Sequence, residues 1–131
     1  MFTRTTVSGI RYVKATVNGV KGVIILPDDW NSSYYTLNST NTDNVVFTVN
    51  NITLANWIDK FEVYGAVFLP AAGERSGTNV YDIGLSGGYW STTSLTSLGY
   101  FRVLYFTGAL LNITSVGPDS SKSVRLVKDV N

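Results

Sequence analysis

One reversal constrains this chain more than any other feature. Tyr12-Val13-Lys14-Ala15-Thr16-Val17 runs into Asn18-Gly19 and returns through Val20-Lys21-Gly22-Val23-Ile24-Ile25-Leu26. Asn and Gly both tolerate positive φ, so the pair favours a type I′ turn, whose twist matches two flanking antiparallel strands. Val23 to Leu26 is apolar without alternation, the pattern of a strand buried on both faces. Pro27 has no N–H to donate and ends the pairing.

A single helix is predicted downstream. Thr53 caps it, and Leu54, Trp57, Ile58 and Phe61 recur at i, i+3, i+4 and i+7, an apolar stripe expected to be core. Gly65 is placed to close it as a left-handed cap. Ala66-Val67-Phe68-Leu69-Pro70 reads as a second buried strand closed by proline. Residues 31–51 are rich in Asn, Ser and Thr and read as a long loop holding a short strand, Val45-Val46-Phe47-Thr48-Val49. Residues 71–78 read as a turn-rich connection. Gly84, Gly87 and Gly88 punctuate the approach to Tyr89-Trp90, which is assigned to framework. Leu104-Tyr105-Phe106 and Ser123-Val124-Arg125-Leu126-Val127 read as strands. The expectation is an α+β domain: antiparallel sheet, a short helical portion and long loops, with residues 1–131 forming one unit.

Composition narrows the chemistry. A chain of 131 residues buries about two thirds of the surface its unfolded form exposes. It has neither Cys nor His, which removes disulfides, thiolate nucleophiles, imidazole ligands and the Ser-His-Asp triad. The ten Lys and Arg are scattered and the net charge is +1, so no phosphate-tracking stripe exists and no nucleic-acid partner is expected. No apolar run reaches the ~18 residues of a membrane span, and Met1-Phe2-Thr3-Arg4 does not open like a signal peptide, so no membrane insertion is expected.

Individual polar groups read mostly as structure. Asp28-Asp29 follows a buried strand, where solvated carboxylates are common. Glu74-Arg75 reads as an ion pair holding a glycine-rich turn, and Asp82 as a turn residue. The glycines between 73 and 88 lack the ending of a phosphate loop. Sequons at Asn31, Asn38, Asn51 and Asn112 read as polar loop composition. A glycoside-active enzyme using Glu74 or Asp82 is a third-ranked reading, because the chain holds only two Glu. No catalytic residue, metal or cofactor is assigned.

Ser94 to Lys122 stands apart. It shows no clean period of 2 or 3.6, and it mixes Leu95, Leu98, Tyr100, Phe101, Leu110, Leu111 and Ile113 with Ser, Thr and Gly. From Ser94 to Ser121 there is no Met, Trp, Gln, Lys or Glu. Those five types cannot arise when the first two bases of an asparagine codon are randomised; avoidance of charge in a short strand-and-loop segment gives the same deficit by chance. A segment of this kind between rigid ends suits a surface that displays side chains for contact.

Four signposts carry a resemblance: Leu26-Pro27-Asp28-Asp29-Trp30, Gly65 to Gly73, Gly88-Tyr89-Trp90-Ser91-Thr92-Thr93, and Ser123 to Val127. In order and spacing they resemble C-type lectin-fold domains of the formylglycine-generating-enzyme subtype, the variable proteins of diversity-generating retroelements in gut bacteria and phages. The resemblance implies a C-type lectin-like fold whose side chains over about 94–122 vary while the scaffold stays fixed. It also implies a ligand-binding face made by Leu95, Thr96, Leu98, Tyr100, Phe101, Val103, Tyr105, Asn112, Thr114, Val116, Asp119, Ser120 and Lys122.

The implied partner is a cell-surface protein or glycan, bound from a virion or bacterial surface, with homo-oligomers left open. Two departures matter. The family's Arg-x-x-Gly lead is Pro118-Asp119-Ser120-Ser121 here, and the calcium-site motifs and cysteines of related folds are missing, so binding is expected to be calcium-independent and non-catalytic. The rival reading is a structural domain of a bacterial surface lipoprotein or adhesin that binds nothing diversified.

Overall fold

The computed structural model describes residues 5–7, 10–38, 47–95, 99–108, 110–117 and 120–124. Its first sheet grows from the predicted hairpin. Strands β1 (Thr5–Val7), β2 (Ile10–Val17) and β3 (Val20–Leu26) are followed by β4 (Asn51–Ile52). Helix α1 (Leu54–Lys60) then leads to β5 (Val67–Pro70). The sheet order is β1-β2-β3-β5, with β4 pairing parallel to the far end of β2. Asn18 and Gly19 have φ of 49° and 81°, as the type I′ turn requires.

Alternation along β2 and β3 sends side chains to two separate cores. Val13, Ala15, Val17, Ile24 and Leu26 face α1 and an aromatic cluster in which Phe61 stacks between Trp30 and Trp57. Tyr12 and Val23 face the other way, joining Leu69, Tyr89, Phe106 and Leu111 in a second core. The central sheet is therefore covered on both faces, which accounts for the unbroken apolar run of β3.

That second cover is an antiparallel sheet made by β8 (Ser86–Leu95), β9 (Tyr100–Thr107) and β10 (Leu111–Val116), in the order β10-β9-β8. Before it, β6 (Glu74–Ser76) and β7 (Asn79–Tyr81) form a small hairpin that starts within the predicted connection and runs past its end. Lys14 is buried between the two large sheets, and its Nζ donates to the carbonyl of Gly108 at the β9–β10 turn. Nearby, the buried Asn50 side chain donates to the Lys14 carbonyl at 3.0 Å and accepts from the Asn38 N–H at 2.7 Å, pinning the preceding loop.

Several expectations need correction. Phe47–Val49 is a 3-10 turn rather than part of a strand; Val45 and Val46 lie outside the described residues. The α1 stripe is only half core: Trp57 and Phe61 are buried, while Leu54 and Ile58 are about half exposed at 50% and 49%. Thr53 does cap the helix, accepting from the Asn56 N–H. However, α1 stops at Lys60 and a short 3-10 turn, Glu62–Tyr64, follows, so the left-handed Gly65 closes that turn instead. Of the closing strand, only Ser123 and Val124 are described; Ser123 exchanges backbone hydrogen bonds with Gly88 and Trp90, adding a fourth line beside β8.

Candidate functional site: the outward face of the second sheet

Residues 94–122 hold more regular structure than their pattern suggests. β9 and β10 pair without a break, matching Phe101 to Val116, Val103 to Thr114 and Tyr105 to Asn112. All six belong to the predicted contact set. Their neighbours along the chain Leu104, Phe106 and Leu111 belong to the second core, so by alternation these six point away from it. The register thus gathers six separate sequence positions on one outward face.

Exposure on that face is uneven. Asn112 is exposed and Phe101 is 39% exposed, while Tyr105, Thr114 and Val116 are half-buried. Val103 is a correction: it is fully buried. It occupies the central strand with Trp90 and Thr114 as its cross-strand partners. Tyr100 is a second correction. It is exposed, but it precedes Phe101 by one residue and so points to the opposite side of the sheet. Leu95 ends β8 opposite Tyr100, and Ser120 is half-buried at the edge of the face. Thr96, Leu98 and Asp119 lie outside the described residues.

Lys122 is the third correction. Its side chain is 9% exposed and its Nζ lies 2.7 Å from the Glu74 carboxylate. The aliphatic stem crosses Gly88, where an added Cβ would sit 2.9 Å from Cδ, and Nζ is 5.9 Å from the centre of the Tyr105 ring. Lys122 is a clamp joining the 120–124 segment to β6 and β9, not a free contact residue. Glu74 accordingly pairs with Lys122, whereas Arg75 turns its Nε to the Gly77 carbonyl at 2.9 Å. Asp82 holds its turn at φ 57°, its carbonyl accepting from Leu85 and Ser86. Burial first, and the Glu74 carboxylate second, raise the Tyr105 hydroxyl above its ordinary pKa.

Trp90, assigned to framework from the sequence, instead lines an opening on this face. The β8–β9 register slips between Trp90 and Ser94. Such a bulge turns side chains out of the regular pleat. Beside it lies a groove of about 440 Å³ lined by Trp90, Ser91, Phe101, Ser120 and Val124. The Trp90 and Phe101 rings meet edge to face at 5.8 Å and 85°. Ser91-Thr92-Thr93 has no apolar alternation, so nothing in the sequence marks the slip beside Trp90.

Among the described residues no group of three or more acidic side chains is placed to hold a metal ion. No described helix is long and apolar enough to cross a membrane. The chain matches no protein-family model, no curated protein and no solved structure.

Proposed function

We propose that this chain is a ligand-binding module of C-type lectin-like fold. On this reading it presents a diversified surface on a rigid scaffold, and attaches a phage or bacterium to a cell-surface protein or glycan without catalysis. The observation that carries the reading is the register of β9 on β10, which brings Phe101, Tyr105, Asn112, Thr114 and Val116 to one face. Two covered faces of the central sheet supply a scaffold that does not depend on the exposed members of that set. Aromatic and short polar side chains suit such a surface, the first giving contact area at small entropic cost and the second adaptable hydrogen bonds.

The test is an exchange of residues 94–122 for another sequence that preserves Val103, Leu104, Phe106, Leu111 and the Lys122 clamp. A cell-surface binding screen with both proteins is expected to return different partners at unchanged folding; identical partners would remove the proposal. The rival reading, a structural domain of a surface lipoprotein or adhesin, draws on one observation. Val80, Tyr81, Ile83 and Leu85 are each more than half exposed, as in a surface that packs on a neighbour. A reverse transcriptase gene beside this one, with a near-copy of its 3′ end differing at adenines, favours the first reading; a locus without them favours the second.

A further inference from the structure

We infer that the groove beside the β8 bulge receives one large apolar side chain, of leucine or aromatic size, from a protein ligand. The inference rests on the binding-module reading and chooses between the two partner classes it leaves open. Trp90 and Phe101 form a right-angled aromatic corner, 5.8 Å between ring centres, and Val124, which also lines the groove, is 66% exposed. A volume of about 440 Å³ is ample for one such side chain.

Charge argues for a neutral occupant. None of the described lining residues is ionisable, and the one lysine within the bordering 120–124 segment, Lys122, is matched by Glu74 at 2.7 Å. Hydrogen bonding argues against a sugar. A pyranose carries a hydroxyl on most ring carbons, and each one stripped of water needs a partner. The described lining supplies side-chain hydroxyls from Ser91 and Ser120 alone. An apolar side chain makes no such demand. Exposed Asn112 and half-buried Thr114 lie outside the groove on the same face. An apolar anchor with a polar surround is the usual arrangement of a protein interface hot spot.

The experiment uses the intact, isotope-labelled chain and four probes. N-acetyl-leucinamide and N-acetyl-phenylalaninamide stand for the side chain; methyl glucoside and methyl galactoside stand for a glycan. Both amides are expected to shift the Trp90 indole and the Ser91 and Ser120 amide resonances saturably, while the glycosides leave them in place. Val124→Lys and Phe101→Ala, both at exposed positions, are expected to weaken amide binding at least about tenfold with an otherwise unchanged spectrum. Shifts from the glycosides alone, or from none of the four, overturn the inference. If no amide binds while exchange of 94–122 still changes the cell-surface partner, the groove assignment falls and the binding-module reading stands.

Discussion

Adjacent glycines at 87 and 88 point to opposite sides of β8 and leave room for different neighbours. A Cβ on Gly87 would enter the ring of Phe106, a fully buried core residue, whereas one on Gly88 would press on the movable stem of Lys122. Gly87→Ala is therefore expected to cost roughly 2–3 kcal/mol and Gly88→Ala less than about 1 kcal/mol in urea unfolding. Equal losses would mean that the Phe106 ring yields as readily as a lysine stem. Tyr105 gives a second residue-scale prediction. Its raised pKa means the folded state holds the phenolic proton more tightly than the unfolded chain, whose tyrosines titrate near 10.0. That contribution is complete below pH ~10 and fades as pH climbs through the folded value. Tyr105→Phe should show a shallower decline in unfolding free energy as pH rises past 10.0; parallel curves would remove this role. The sequence misread Lys122 because Glu74, far back in the chain, decides its fate and no local pattern announces that pairing.

Local rules succeeded at the element scale where a turn or cap residue acts alone. Asn18-Gly19 set its turn and Thr53 capped α1, because both depend on immediate neighbours. Replacing Thr53 by Ala should cost about 1 kcal/mol through loss of the Asn56 hydrogen bond. The α1 stripe misled because a seven-residue helix lying beside an aromatic cluster buries only the side nearest Phe61. Trp57→Ala should lose about 3–5 kcal/mol, while Leu54→Ser and Ile58→Ser, half exposed, should each lose less than about 1 kcal/mol. Thermal or urea unfolding of the three variants checks this order; a large loss at Ile58 would place it in the core after all. β9 was legible only at Leu104-Tyr105-Phe106, for another reason. Val103 and Phe106 face opposite sides of its sheet and both are fully buried, so apolar residues fall on both phases and the period of 2 disappears.

Across the whole molecule the layers run from α1 and its aromatic cluster, through the central sheet, to the β8–β9–β10 sheet and its outward face. The separation of buried from outward-facing side chains is sharpest on β9, where the two alternate within a few residues. Phe101 and, on the neighbouring strand, Asn112 are solvent-exposed, yet Val103 on the same side of the sheet is completely enclosed. A scaffold that tolerates exchange of its surface must pass through positions like Val103 unchanged, and that requirement can be measured. Val103→Ala opens a cavity under Trp90 and Thr114 and should cost about 2 kcal/mol, lowering Tm by roughly 8 °C. The triple variant Phe101→Tyr, Asn112→Arg, Thr114→Ser changes the outer surface and should melt within about 3 °C of the parent. Comparable losses in the two proteins would show that the outer side chains carry as much of the fold as Val103 does, and a surface with that burden could not be exchanged freely.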